Sequence, residues 1–313
     1  MATALPVLDS SGGGGYSSVI NRPIDNTALA AYMTCPKKFE YSMLRNRRAE
    51  GLPSPSLAYG SAWHRALEVH YKIGGGKLDR ARNREAVEAA VALIWQGSDR
   101  VDDYRTDARV LVEYDNYIQK WGMPSEEDAQ TVGWPEQPLV EIATELTWPG
   151  ALHSYTGKID RIIKAQGLYF VEDHKTTSRW SSYYFRQYEL KNQMMGYAWM
   201  AQLFTGKPIA GVRINAHVCR TRDSQFERQI ISFSQDRLKE WAANYNSWVL
   251  RLEQDIAADN FPRNLDACDA KYGMCAYAGV CSTSPALRER VLEQDFAELP
   301  WNPLAAEDEV SDV

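Results

Sequence analysis

The sequence predicts a mixed α/β fold. The first half of the chain repeats its apolar residues at helical spacing, the period shortens to two from about residue 139, and long helical patterns then interrupt and follow the strand-like runs. The helical reading covers roughly 26–48, 56–73, 82–97 and 102–121. Pro53 and Pro55 separate the first pair, and "GGGK" at 74–77 separates the second. "LVEIATELTW" (139–148), "SYTGKIDRII" (154–163), "LYFVEDHK" (168–175), "GVRINAHVC" (211–219) and "RQIISFS" (228–234) read as strands. Helices are expected over about 183–205 and 235–258.

The 313 residues, 44% hydrophobic and 11% aromatic, suffice for a substantial core. The expected layout is a flexible leader over 1–22 containing "SSGGGGYSS", a single domain over 23–290, and an acidic tail over 291–313 ending "AAEDEVSDV". The N-terminus lacks a signal-peptide pattern and no run reaches the ~20 apolar residues of a membrane span. The expectation is a cytoplasmic protein without a membrane partner.

A net charge of −6 disfavours a protein that coats nucleic acid, but not an enzyme that gathers acids around a metal. Basic residues cluster at Lys37, Lys38, Arg45, Arg47 and Arg48, and again at Arg213, Arg220, Arg222 and Arg228. Such clusters are more often solvated faces than binding sites.

"GKIDRIIKAQGLYFVEDHKTTSRW" (157–180) carries the chemistry. A two-residue turn at Gln166-Gly167 sets Asp160 opposite Asp173, with Lys175 on the Asp173 face. A three-residue turn sets Asp160 opposite Glu172 instead. Opposed carboxylates repel unless a cation lies between them, and a divalent metal with oxygen ligands supplies that charge. Taken alone, the pattern more often describes surface acids beside a lysine. Two further features sharpen it: His64 follows Gly60 in a helical stretch, and Gln193 and Tyr197 share a helix face.

The ordered set G-x-x-x-H, D, D-x-K-T and Q-x-x-x-Y resembles the PD-(D/E)XK nucleases, specifically their RecB-like branch, over about residues 27–285. The resemblance implies a restriction-endonuclease-like core, with a mixed central sheet flanked by helices, an N-terminal helical region and a C-terminal cysteine segment. It implies that His64, Asp160, Asp173 and the His174 backbone carbonyl bind Mg²⁺ or Mn²⁺. It assigns Lys175 to the attacking water or scissile phosphate and Gln193 and Tyr197 to the substrate path. Glu172, beside the implied ligand, is assigned to the opposite sheet face.

Five cysteines fall unevenly: Cys35 and Cys219 stand apart, while Cys268, Cys275 and Cys281 crowd together. Four thiolates can hold zinc or a [4Fe–4S] cluster, although the gaps are not the paired C-x₂-C of common zinc sites. The early "CP" and the late triplet are similar to the iron–sulfur CRISPR-associated adaptation nucleases and AddB-type helicase-nucleases. That likeness implies a [4Fe–4S] staple on Cys35, Cys268, Cys275 and Cys281, with zinc as the alternative and Cys268 fitting the spacing least well. Cys219 reads as a buried thiol.

The function expected is a metal-dependent DNA nuclease, with exonuclease action on DNA ends or single strands, in recombination, repair or phage replication. No P-loop pattern occurs, so any helicase motor would belong to a partner, as would any recombination protein. The rivals are a catalytically silent DNA-end or protein-binding subunit and an iron–sulfur redox or sensor protein.

Overall fold

The computed structural model describes residues 24–73, 80–100, 103–124, 127–133, 136–270 and 273–304. The expected leader and the "AAEDEVSDV" end lie outside the described residues. The chain packs as two compact units. The larger takes Glu50–Ala151 and Tyr155–Tyr245; the smaller takes the described residues up to Ala49, Leu152–Ser154 and Asn246–Trp301.

The larger unit begins with three helices, α1 (Pro55–Ile73), α2 (Arg80–Ile94) and α3 (Asp107–Trp121). Thr106 caps α3 through its side chain on the Arg109 N–H, and Gly122 ends it at φ 80°. Strands β1 (Val140–Leu146), β2 (Tyr155–Ala165) and β3 (Leu168–Thr177) form an antiparallel meander. Helix α4 (Asn192–Thr205) then crosses to β4 (Ile209–Cys219), which lies parallel to β3, and β5 (Ser224–Ser232) returns antiparallel. Within this unit the sheet order is therefore β1-β2-β3-β4-β5, with Gln130–Thr131 also pairing β2. Helix α5 (Gln235–Ala257) follows. This is a mixed central sheet flanked by helices, the restriction-endonuclease-like α/β fold.

The β2–β3 turn is the two-residue one. Gln166 and Gly167 both have positive φ (51° and 82°), as the hairpin turn whose twist suits the strands requires. Arg161 consequently pairs with Glu172, and Ala165 with Leu168. The helical pattern over 183–205 resolves into a 3₁₀ turn at Phe185–Tyr188 followed by α4.

An aromatic and aliphatic cluster built around Trp63, Leu67 and Tyr71 of α1 and Tyr114 and Tyr117 of α3 forms much of this unit's core. Beside it runs a buried polar network. Arg161 reaches Glu172 at 2.9 Å and Glu127 at 3.3 Å, Arg213 pairs with Glu172, and Arg228 reaches Glu127 at 2.9 Å. Arg213 and Arg228 are thus internal ion-pair partners and not part of a basic surface, because each buried carboxylate requires a matching cation.

In the smaller unit the expected helix 26–48 breaks at Cys35. Helix Asn26–Thr34 stops there, with Cys35 extended at φ −161° as a residue before proline prefers. Asp25 caps that helix on the Thr27 and Ala28 N–H groups. Where the acidic tail was expected from 291, a helix runs over Arg288–Asp295 and Ala297–Glu298 pairs with Arg47–Arg48. Buried Leu292 and Phe296 hold this segment against Tyr41, Tyr277 and Val280. No described helix is long and apolar enough to cross a membrane.

Candidate metal centre

Three elements of the larger unit converge on Asp160. The carboxylate lies near the end of the β2–β3 ladder, whose last recorded pair is Arg161 with Glu172. Asp160 Oδ2 accepts the backbone N–H of His174 at 2.7 Å and stands 3.5 Å from His64 Nδ1. A Cβ at Gly60 would stand 3.4 Å from the Thr176 hydroxyl, so the small residue in G-x-x-x-H matches a close approach of α1 to β3.

Asp173 and Lys175 share a face, as strand alternation requires, and pair at 2.6 Å. Lys175 Nζ lies 3.4 Å from Gln193 Oε1, and Gln193 Nε2 donates to the Tyr197 hydroxyl at 3.2 Å. The expected residues of β3 and α4 therefore form one polar chain, Asp173–Lys175–Gln193–Tyr197. A Cβ on Gly157 would come within 2.9 Å of the Tyr197 ring, so this close approach requires glycine.

The His174 ring points away from this chain. It stacks on Tyr71 (centroids 5.8 Å apart, planes 8° apart), and its Nδ1 lies 3.1 Å from the Asn215 side-chain amide. Glu172 is fully buried among arginines on the same side as that ring, as the assignment to the opposite sheet face expects.

One residue absent from the sequence reading joins the group: Glu141. Ligand atoms of His64, Glu141 and Asp160 all lie within 4.8 Å of one another. Glu141 Oε2 pairs with Lys158 at 2.9 Å, while its buried Oε1 has no hydrogen-bond partner. The β1–β2 ladder pairs Val140 with Arg161 and Ile142 with Ile159, which sets Glu141 against Asp160. The signal in the sequence is an acid within an otherwise strand-like run. The loop between the strands is too long to fix their register, so the pairing was not legible there.

The charges interact strongly. Burial would push His64 down, but the charge and hydrogen bond of Asp160, with Glu141, raise it to about 9. Burial also opposes ionisation of Asp160, yet His64, His174 and Lys175 hold it below the usual carboxylate range. Burial raises Glu141 to about 8, with Asp160 adding to the shift against Lys158 and His64. Burial raises Asp173 to about 6 against the pull of Lys175, with Asp160 adding repulsion. A divalent cation would relieve this crowding. The imidazole nitrogen, two facing carboxylates and a buried Glu141 oxygen that has His64 Nδ1 at 4.0 Å but no hydrogen bond fit Mg²⁺ or Mn²⁺.

In the smaller unit, Cys35, Cys268, Cys275 and Cys281 line one pocket with Lys38 and Arg263. All four cysteines are half-buried, whereas Cys219 is buried in β4. Burial raises the Cys281 thiol; Arg263 opposes this, and the other three thiols reinforce it. A short hairpin, Asp269–Ala270 with Gly273–Met274, joins Cys268 to Cys275, and the Cys275 N–H donates to the Cys268 carbonyl at 2.8 Å.

No curated protein matches the chain significantly. Among solved structures, it resembles a "putative exonuclease" from Eubacterium rectale at 13% identity and TM-score 0.46, covering 98% of this chain and 100% of that one. The crystal structure of SSO0001 matches at 15% identity and TM-score 0.28, covering 71% of this chain and 84% of that one. At these scores neither bears on activity. The family model of the PD-(D/E)XK nuclease superfamily matches residues 26–282, a span that includes the helix bearing His64, the acidic hairpin and α4. The chain belongs to the PD-(D/E)XK nuclease superfamily.

Proposed function

We propose that the protein is a Mg²⁺- or Mn²⁺-dependent deoxyribonuclease of the RecB-like branch, acting as an exonuclease in recombination, repair or phage replication. The observation that carries this reading is the meeting of His64 with Asp160 at 3.5 Å, beside an Asp173–Lys175 pair at 2.6 Å. His64, Asp160, Asp173 and the His174 carbonyl would hold the cation, which when bound would activate water and offset phosphate charge. Lys175 would place its ammonium at the attacking oxygen or scissile phosphate, where charge builds in the transition state. Gln193 orients Lys175, and Tyr197 orients Gln193, so the pair would align the phosphate without holding metal.

We further propose that the cysteine pocket holds a [4Fe–4S] cluster. Four thiolates facing Lys38 and Arg263 suit an anionic cluster.

The test is degradation of end-labelled linear DNA, single- and double-stranded, with closed circular DNA as control. Cleavage that requires Mg²⁺ or Mn²⁺, stops with a chelator and spares the circle is the expected result. Cleaved circles would indicate endonuclease action. DNA binding without cleavage in either metal would identify a silent binding subunit.

A further inference from the structure

We propose that Glu141 is a further ligand of the divalent-cation centre, aimed into it by a left-handed backbone. This rests on the metal-dependent reading above. Three independent features point to it.

The first is geometry. A Glu141 oxygen, an Asp160 oxygen and a His64 nitrogen all fall within 4.8 Å of one another, so one cation could touch all three. The second is satisfaction of the carboxylate. The Glu141 side chain is only 5% exposed, and Lys158 occupies Oε2 at 2.9 Å, yet buried Oε1 accepts no hydrogen bond. His64 Nδ1 stands 4.0 Å from Oε1, an ion-pair distance too long for a hydrogen bond, so a bound cation would complete this buried oxygen more closely than the imidazole does.

The third is the backbone. Glu141 has φ 51°, a left-handed conformation that is uncommon for glutamate and has no evident need inside a strand. It interrupts the ladder opposite Asp160, between the Val140–Arg161 and Ile142–Ile159 pairs. Strained backbone within a regular strand, beside two candidate ligands, marks a residue held for its side chain. Lys158 can restrain that side chain while leaving Oε1 directed toward the His64–Asp160 side.

The chemistry defines the ligand class. Adding Glu141 to Asp160 and His64 gives two hard oxygen donors and one imidazole nitrogen, a set suited to Mn²⁺ as well as Mg²⁺. Mn²⁺ is the practical probe because free Mn²⁺ gives a direct paramagnetic resonance signal.

The experiment titrates Mn²⁺ into the metal-free full-length protein and measures free Mn²⁺ by that resonance, with Mn²⁺-induced thermal stabilisation as a second readout. Glu141→Asn keeps a residue that tolerates the left-handed backbone but removes the charge; Glu141→Gln is the companion variant. Both are expected to bind Mn²⁺ about 10–100-fold more weakly, the range for losing a supporting carboxylate, and to gain less thermal stability from it. Lys158→Met should bind at least as tightly as wild type. Asp160→Asn should bind weakly or not at all. Wild-type affinity in both Glu141 variants, with Asp160→Asn defective, overturns the role of Glu141 alone. An equal loss in Lys158→Met does the same, since Glu141 would then act only through the lysine. Wild-type affinity in Asp160→Asn overturns the underlying metal-centre reading.

Discussion

The Asp160 carboxylate accepts the backbone N–H of His174 at 2.7 Å, tying one acid of β2 to the peptide that follows the other acid on β3. The side chain proposed to hold metal thus also fixes the strand that offers the His174 carbonyl. An asparagine oxygen can accept the same hydrogen bond without the charge. Asp160→Asn and Asp173→Asn should therefore fold, yet lose Mg²⁺- or Mn²⁺-dependent cleavage of labelled DNA by at least ~100-fold, as removal of a key electrostatic group does. Wild-type turnover in either variant would remove that residue from the ligand set.

Lys175 stands 2.6 Å from Asp173 and 3.4 Å from Gln193. Its expected role lies in chemistry. Lys175→Ala should retain DNA and Mn²⁺ binding while single-turnover cleavage falls ~10²–10³-fold. A loss of metal affinity as deep as that of Asp160→Asn would show that it organises the metal site instead.

A Cβ on Gly157 would stand 2.9 Å from the Tyr197 ring. Gly157→Ala should displace the ring and lengthen the Tyr197–Gln193–Lys175 chain. Cleavage should drop in both Gly157→Ala and the Gln193→Ala/Tyr197→Ala double variant, because misalignment of reacting groups costs rate steeply. Early melting with normal activity per folded molecule would mark the pair as packing only.

His217 is buried against Trp63 and Phe226, with ring centroids 4.4 and 4.7 Å away, and neither ring nitrogen has a hydrogen-bond partner. Burial, with Arg109 adding repulsion, lowers its pKa to about 3. Below about pH 6.5 the unfolded chain binds a proton that the folded chain refuses, so stability falls with pH down to about 3. His217→Phe should flatten that dependence by at most about 1.4 kcal/mol per pH unit, read from denaturant midpoints at pH 5 and 7. An unchanged slope would mean that His217 is protonated in the fold.

Cys35 shares a pocket with three cysteines more than 230 residues later. Long loops close at little extra cost, roughly 0.6 kcal/mol per doubling, so strong metal–thiolate bonds readily offset this one. Anaerobically purified protein should be brown and contain iron and sulfide. Cys35→Ser should lose the colour and become easier to proteolyse within residues 24–49 and 246–301. Stoichiometric zinc in colourless protein would replace the cluster, and fully titratable thiols without metal would reject the site.

The sequence by itself determined the order of the main helices and strands and the acidic hairpin. The choice between a two- and a three-residue turn, and so the register, came from the structure. Helix and strand periods follow from which face must be buried, and Gln166-Gly167 permits the two positive φ angles that make the turn two residues long. With that turn, short-range geometry alone brought Asp160 toward Asp173, and Asp173 beside Lys175. Tertiary structure decided what local rules could not reach. It brought His64 of α1 to Asp160, set Glu141 against the same carboxylate across a long loop, and buried Arg213 and Arg228 that read as surface charge. It also gathered Cys35 with the late cysteines. Side-chain alternation extends only along a strand and its turn-linked neighbour, whereas these meetings depend on how helices and distant strands pack to bury their apolar faces and pair their charges.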